Sequence, residues 1–221
     1  MPRQDAPAER RLRGTRAGID LARIVEAARG LPESELTMQA VADRLGVDRK
    51  AVNHHVGDRE TLLRMVAVDA LSANFSVVEI GEADSWQDAC RAHARGFVDA
   101  VLATGGLAEH LPLGDPAVTG FLQQAEAVLA KMTGAGFDDE TAQRGLALLT
   151  NLCLGHARDA LLAAQGEDRL RPTTLKSALV GRDPDRYPIL ARIAAAPADT
   201  YGSAQFEFSV DVFLSGLQAR R

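Results

Sequence analysis

Basic and amide side chains are concentrated in residues 49–55, which read Arg-Lys-Ala-Val-Asn-His-His. The guanidinium group of Arg49 carries two parallel donors that match O6 and N7 of guanine, and the amide of Asn53 can pair with adenine in the same bidentate way. Lys50 and His54 can reach base edges as well if they lie on the exposed face of a helix. The chemistry that this pattern predicts is hydrogen bonding to nucleic acid.

A second short helix before this basic segment would position it. Residues 37–56 contain two short helical patterns on either side of Gly46, a residue type that permits the positive φ angle of a tight turn. Thr37 and Asp48 are N-cap residue types at the start of the two patterns. Apolar residues at helical spacing supply the seam between them: Val41, Ala42, Leu45, Val47 and Val52. This spacing predicts a helix-turn-helix, whose second helix enters the DNA major groove, and an αα-hairpin with a solvated charged face is the alternative.

Charge is distributed unevenly along the chain. The 221 residues have a net charge of −5, but residues 1–66 carry +2 and the remainder carries −7. A phosphate backbone responds to local positive charge, so the acidic remainder does not exclude a DNA contact. The 46% hydrophobic content predicts a globular protein, and the lack of an apolar run of about 18 residues predicts a soluble, cytoplasmic one.

Apolar residues recur with helical periodicity throughout the sequence, which predicts an all-α fold. We expect a basic N-terminal arm at residues 1–16, a three-helix helix-turn-helix domain at 17–58, and a larger helical domain at 59–221. Capping and breaking residues predict helices at 21–28, 59–80, 85–104, 115–134, 138–165, after Pro188 and at 203–219. Residues 166–186 are rich in glycine, proline and charge, and we interpret them as a long flexible connection.

Two of the predicted helices are apolar on more than one face. In residues 141–162 one stripe contains Leu149 and another Leu148, and residues 206–217 repeat this pattern with Phe206 and Phe208. One stripe of each helix can pack inside the monomer, and the other then needs a partner. We therefore predict dimerisation through a bundle of two helices from each subunit; a central helix wrapped by its own chain is the alternative.

Enzyme signatures were not found in the sequence. It has no P-loop, no G-x-G-x-x-G, no G-x-S-x-G and no H-E-x-x-H pattern. Cys153 and His156 lie three residues apart, but an apolar neighbourhood makes a thiol inert, so we interpret them as core residues. We predict no catalytic residue, no cofactor and no metal ion.

The segment from Leu36 to Leu63 resembles the tetracycline-repressor (TetR) family of transcriptional regulators. The resemblance lies in LTMQAVADRLGVDRKAVNHHV followed by GDRETLL, and it continues through Ser85–Asp88, Gly136-Phe137, Gly155 and the ending Phe206-x-Phe208…Leu214-x-Gly216-Leu217. It implies an Ω-shaped homodimer whose N-terminal helices bind a palindromic operator and whose C-terminal domain binds a small molecule and dimerises.

Residues for DNA contact follow from the resemblance position by position. They are Gln39, Arg49, Lys50, Ala51, Asn53, His54, His55 and Arg59. Three of them depart from the family's usual residues: Asn53 replaces a tyrosine that contacts phosphate, Arg59 replaces a lysine, and Ala51 replaces a threonine. Arg16, in the predicted arm, is a further candidate for a phosphate contact.

Residues for the small-molecule pocket follow in the same way. They are Asn74, Phe75, His93, Phe97, His110 and Asp159. His110 and Asp159 match a histidine that binds drug-chelated magnesium and a glutamate that supports it, but one histidine and one aspartate are too few to predict a metal site. Phe75 replaces a histidine and His93 an asparagine, so we expect an effector other than tetracycline, largely apolar with polar handles.

The combined prediction is a repressor that releases a palindromic operator when a small molecule binds its C-terminal pocket. The alternative is a family member that has lost operator binding and uses the C-terminal cavity as an enzyme or a small-molecule carrier. Asn53 motivates this alternative, together with the polar pair His93 and His110.

Overall fold

The computed structural model describes residues 18–111, 121–164, 171–196, 199–200 and 202–221. The regular secondary structure of these residues is all helical, with no β-strand among them, so the all-α prediction is confirmed. The described residues up to Leu62 form one compact unit, here called the N-terminal unit, and those from Leu63 onward form a second, the C-terminal unit. The predicted arm at residues 1–16, the cap at Asp115 and the break at Gly166 lie outside the described residues.

The N-terminal unit contains three short helices and the start of a fourth. They are α1 (Leu21–Ala28), α2 (Met38–Leu45), α3 (Arg49–His55) and α4 (Arg59–Asn74). Helix α2 packs against both α1 and α3. Fully buried apolar side chains from these helices and their loops form the core of this unit: Ile24, Ala28, Leu36, Val41, Ala42, Val52, Val56 and Leu62.

Side-chain caps fix where these short helices begin, as predicted. The Thr37 hydroxyl accepts a hydrogen bond from the Ala40 N–H at 3.1 Å, and the Asp48 carboxylate accepts one from the Lys50 N–H at 2.7 Å. Each cap satisfies a backbone donor that a helix start leaves unpaired. Gly46 ends α2 with a φ angle of 67°, so the positive φ predicted for this turn is confirmed.

The C-terminal unit is built from the rest of α4 and seven further helices. They are α5 (Val78–Glu82), α6 (Trp86–Ala103), α7 (Leu122–Gly134), α8 (Asp139–Ala164), α9 (Arg171–Leu179), α10 (Pro188–Ala195) and α11 (Ser203–Gln218). Helix α6 is central, because α5, α7, α8 and α11 all pack against it. Polar pairs also join α6 to α11, with Arg91 bound to Asp211 and Arg95 bound to Glu207.

The prediction of one continuous helix over residues 59–80 is wrong. The helix stops at Asn74, and α5 begins at Val78. Ser76 accepts a hydrogen bond from the Val78 N–H at 3.2 Å, and the Phe75 carbonyl accepts one from the Gln124 side chain at 2.7 Å. Side chains therefore satisfy the backbone groups that the break leaves without helical partners.

The interpretation of residues 166–186 as a flexible connection is wrong for residues 171–179. These form α9, which packs against α10. Pro172 stands at the second position of α9, in the first turn, where the missing N–H would have no helical partner in any case. Leu179, Ala191 and Ala194 line a shallow depression between the two helices, so they lie where α9 and α10 meet.

Both apolar stripes of α8 and α11 are present, and they differ in burial. Leu149, Cys153, Phe206, Val210 and Phe213 are buried in the core of the C-terminal unit. The second stripe is exposed in the single chain: Leu148 is 58% exposed, Phe208 62% and Val212 55%.

The stretch Arg59–Glu82, which spans α4, the break after Asn74 and α5, passes a test of length and hydropathy for membrane-crossing segments. Core helices of globular proteins pass the same test. Here Ala67, Leu71, Phe75 and Ile80 are buried in the core of the C-terminal unit, and this packing accounts for the apolar composition.

Candidate nucleic-acid interface and ligand site

Helix α3 has one buried face and one face rich in polar groups. Val52 is fully buried in the core of the N-terminal unit, and Ala51 is half-buried. The exposed side chains are Arg49, Lys50, Asn53, His54 and His55. Because the Asp48 cap starts the helix at Arg49, the two cations occupy its first turn, the part of a recognition helix that contacts base edges.

Gln39 lies at the start of α2 and is also exposed. Its side-chain amide donates a hydrogen bond to the Asp43 carboxylate at 2.7 Å, one helical turn along. This bond holds the amide group in one orientation and leaves its oxygen available as an acceptor.

Arg59 makes structural contacts that its sequence position does not reveal. Its Nε donates to the carbonyl of Leu36 and its Nη2 to the carbonyl of Glu33, both at 2.8 Å. The guanidinium group therefore ties the start of α4 to the loop that leads into Thr37 and α2. These two bonds use Nε and Nη2, so the Nη1 donors can serve a phosphate while the structural role is kept.

Four aromatic rings meet in the core of the C-terminal unit and form what we call the aromatic cluster: Phe75, His93, Phe97 and Phe121. The Phe75 ring lies 5.2 Å from that of His93, 5.9 Å from that of Phe97 and 6.0 Å from that of Phe121, measured between centroids. A Cβ atom at Gly96 would lie 3.2 Å from the Phe75 ring, so the glycine lets this ring approach α6 closely. Three of the six predicted pocket residues thus come together here.

His93 is buried in this cluster without a hydrogen-bond partner. It is 4% exposed, and within the described part of the chain neither Nδ1 nor Nε2 finds a donor or acceptor. Burial lowers the pKa of His93 from 6.5 to about 4, so the imidazole is neutral at pH 7. An unsatisfied buried polar group costs about 1–3 kcal/mol, and such a group in a folded protein calls for an explanation.

Gln124 is a second buried polar residue beside the cluster, and sequence reasoning missed it. It is 5% exposed, and its Nε2 donates to the Phe75 carbonyl at 2.7 Å. Its Oε1 is unpaired among the described residues. No local signal marks this glutamine, because its partner is 49 residues away.

A cavity of about 510 Å³, here called the side cavity, lies between the end of α6 and α8. Val101 lines it, two helical turns along α6 from His93 and one from Phe97, so all three share one face of the helix. The charged residues in its lining are Glu109 and Arg158. The predicted residues His110 and Asp159 directly follow these two in sequence, and both are half-buried. Asn74 is exposed and donates to the Ala70 carbonyl at 2.7 Å.

The two cysteines and His156 lie in surroundings that indicate packing roles. Cys90 and Cys153 are fully buried, and burial raises the pKa of each thiol to about 12. The His156 ring stacks on Phe206 with centroids 4.6 Å apart. Within the described ranges, no group of three or more histidine, cysteine, aspartate or glutamate side chains is arranged to hold a metal ion.

Comparison with known proteins places this geometry in a family. Residues 81–221 match the family described as "Tetracyclin repressor-like, C-terminal domain". The class E tetracycline repressor of Escherichia coli is 26% identical over 202 residues, covering 89% of this chain and 93% of that protein.

Solved structures from Streptomyces coelicolor are similar as well. The transcriptional regulator SCO7222, a TetR, is 27% identical with a TM-score of 0.68, covering 91% of this chain and 99% of that chain. The TetR family protein ActR in complex with actinorhodin shares the fold at 22% identity with a TM-score of 0.69, covering 92% of this chain and 97% of that chain. The chain belongs to the TetR family of ligand-responsive transcriptional repressors.

Proposed function

We propose that this cytoplasmic repressor binds a palindromic operator through the exposed face of α3 as a homodimer, and that an effector bound at the aromatic cluster releases the DNA. The observation that supports the DNA part most directly is the division of α3 into two faces. Val52 anchors the helix in the core, while Arg49 and Asn53 project from the exposed side.

Each exposed residue has a role suited to its chemistry. Arg49 reads guanine and Asn53 reads adenine, each through a pair of hydrogen bonds, and the methyl group of Ala51 suits contact with thymine. Four more side chains contact phosphates or neighbouring base edges: Gln39, Lys50, His54 and His55. Arg59 acts mainly by holding the loop before α2, with Nη1 left for a phosphate.

The effector site centres on Phe75, His93, Phe97 and Phe121, with Gln124 added by the structure. The predicted residues Asn74, His110 and Asp159 complete the proposed set, and the side cavity offers room for a molecule of moderate size. The related protein ActR has been solved in complex with actinorhodin, which supports ligand binding in this fold. An effector that prefers the DNA-free form lowers DNA affinity by the same factor by which DNA lowers effector affinity.

A second copy of the chain is the partner that we propose for the outer stripe of α8 and α11. Leu148 and Val212 line a groove of about 810 Å³ between these helices, and both side chains are more than half exposed. A twofold dimer would bury this stripe and match the symmetry of a palindromic operator. The doubly charged variant Leu148→Glu with Val212→Glu should sediment as a monomer and lose operator affinity.

The matched control for the dimer is Leu190→Glu, which charges an exposed leucine on α10 instead. This control should still sediment as a dimer. If the double variant also stays dimeric in sedimentation experiments, the α8–α11 interface is excluded.

Operator binding at varied salt tests the proposed function as a whole. Duplexes from the gene's own neighbourhood should include a palindrome that binds far more tightly than scrambled DNA, with affinity falling steeply as salt rises. If no such duplex binds at low salt, the operator-binding function is contradicted and the carrier or enzyme alternative is favoured.

A further inference from the structure

We infer that the effector is an uncharged, planar aromatic molecule with a free hydroxyl group that donates a hydrogen bond to Oε1 of Gln124 and a polar group that pairs with His93. This inference rests on the proposed effector site and adds the chemical class of the ligand. Three observations carry it: the acceptor on Gln124, the neutral imidazole, and the arrangement of the surrounding rings.

The free atom of Gln124 has a defined chemistry. The Phe75 carbonyl can only accept a hydrogen bond, so the side-chain nitrogen must face it, at 2.7 Å. The side-chain oxygen is then left as a buried acceptor without a partner among the described residues. A ligand group that satisfies this oxygen must be a donor, such as a hydroxyl or an N–H.

His93 offers one donor and one acceptor. At neutral pH the buried imidazole carries one proton, and both ring nitrogens are unpaired in the described chain. It can therefore accept from a hydroxyl or donate to a carbonyl. The rings packed closest to it belong to Phe75 and Phe97, and an ionised ligand group would lose its hydration against them without gaining an ion pair.

Ring geometry favours a planar aromatic ligand. The rings of His93 and Phe97 lie within 16° of parallel, with centroids 6.2 Å apart and one helical turn between them on α6. Phe75 meets both rings edge to face. Aromatic rings gain most from offset-stacked and edge-to-face contacts, so a planar aromatic ligand that enters between these side chains can replace the contacts that they make with one another. Val101, one turn beyond Phe97 on the same face of α6, lines the side cavity, whose volume of about 510 Å³ is enough for further substituents.

Calorimetric titration with three fused-ring probes tests this class directly. The probes are 2,6-dihydroxynaphthalene, 2,6-dimethoxynaphthalene and 2-naphthoate, each titrated into the full chain without DNA. The dimethoxy compound keeps the ring system and oxygen acceptors but cannot donate. We expect the dihydroxy probe to bind at least about tenfold more tightly than either of the others, roughly the value of one well-formed hydrogen bond.

Two variants connect that preference to the named atoms. Gln124→Met and His93→Leu replace each polar group with an apolar one of similar size, and each should reduce the preference to within about threefold. The matched control is Gln123→Met, which changes the exposed neighbouring glutamine on α7 and should keep the full preference. Because Gln124→Met also removes the bond to the Phe75 carbonyl, thermal unfolding is measured for every variant. His93→Leu should keep or raise the melting temperature.

Three outcomes would overturn the inference: equal binding of the dihydroxy and dimethoxy probes, tightest binding of 2-naphthoate, or a full preference retained in both variants. The operator assay separates this failure from failure of the proposed function. A protein that binds and releases its operator but shows no hydroxyl preference contradicts only the ligand class. A protein that prefers the dihydroxy probe but binds no operator supports the ligand class and contradicts the regulator.

Discussion

The two units differ in the solvent exposure of the polar groups proposed for recognition. On α3 the side chains proposed to contact DNA are exposed, and the helix that carries them is anchored by buried Val52 and started by the Asp48 cap. In the C-terminal unit, His93 and Gln124 are buried and each has an unpaired polar atom within the described chain. One unit presents its hydrogen-bonding groups to water, and the other holds them in an apolar cluster.

This difference implies that DNA and a small-molecule effector would gain affinity from different sources. DNA is read by groups that lose water on binding, so their contribution depends on geometry and salt. A small molecule that reaches His93 and Gln124 meets groups that have already lost their water. It therefore recovers a cost of about 1–3 kcal/mol for each unpaired atom that it satisfies. Buried groups without partners lower the folding stability of the ligand-free protein, and a ligand that pairs with them gains affinity in return.

The largest effect is expected at the DNA-binding surface. Arg49→Ala should weaken binding to the cognate operator by about 2–6 kcal/mol, because each bidentate contact contributes about 1–3 kcal/mol and a dimer loses two. Binding to scrambled DNA should change far less, as measured by fluorescence anisotropy on both duplexes.

Arg192→Ala removes the same charge from an exposed site on α10, away from the proposed α8–α11 dimer interface, and serves as the control. It should leave the affinity for both duplexes unchanged. Equal losses on cognate and scrambled DNA for Arg49→Ala would remove its role in base recognition.

A smaller effect concerns the buried histidine and pH. The pKa of His93 is about 4 in the folded chain and 6.5 ordinarily, so the unfolded state takes up a proton between these values and the folded state does not. The stability from this residue is complete above pH 6.5 and is lost as pH falls toward 4. At pH 5 the loss should be about 2 kcal/mol relative to pH 7.5.

Urea unfolding of the wild type and of His93→Leu at the two pH values measures this difference directly. The leucine variant should show a smaller loss of unfolding free energy on acidification. Parallel pH profiles for the two proteins would mean that His93 is not held neutral by burial.

The next effect distinguishes two roles for Arg59. If it holds the carbonyls of Glu33 and Leu36, Arg59→Ala should lower the unfolding free energy by about 1–2 kcal/mol, since charge-assisted bonds to a part-buried loop are lost. Operator and scrambled DNA should then both bind more weakly.

Arg59→Lys keeps the charge but cannot reproduce the two-pronged contact. It should restore only part of the lost stability, measured by thermal unfolding. A variant Arg59→Ala with unchanged stability and reduced DNA affinity would show that phosphate contact is its only role.

The smallest effect is expected at the cap of α2. Thr37→Val removes the hydroxyl that accepts from the Ala40 N–H and keeps the side-chain shape, so the unfolding free energy should fall by about 1 kcal/mol. Thr133→Val, at an exposed site near the end of α7, is the control and should change stability less. A larger loss at Thr133 would argue against the cap as the source of stability.

Local features of the fold were predictable because their signals lie a few residues apart. Thr37, Asp48 and Ser85 each cap a helix through a backbone N–H two or three positions later. The left-handed turn at Gly46 and the buried stripe of α8 also follow from short-range spacing. Helix caps and apolar periodicity depend on residues a few positions apart, and the sequence therefore predicts them.

Features that depend on distant residues were not predictable. The break after Asn74 interrupts a regular helical pattern. The Phe75 carbonyl at this break accepts a hydrogen bond from Gln124, which lies on a different helix, α7. Helix α9 was not predicted because the glycine, proline and charge content of residues 166–186 indicated a connection, whereas Pro172 stands in the first turn of a helix. The contacts of Arg59 to Leu36 and Glu33 likewise span more than twenty residues and leave no local pattern.

The burial of both cysteines has a practical consequence for testing whether the helices proposed to bind DNA move when the effector binds. The sequence contains only Cys90 and Cys153, and with thiol pKa values of about 12 neither reacts readily with labelling reagents. A Ser34→Cys substitution at the exposed turn before α2 would create the single reactive thiol of each chain. In the proposed homodimer, a spin label there would give one distance between the two protomers, and the proposed release of DNA predicts that this distance changes when the effector is added.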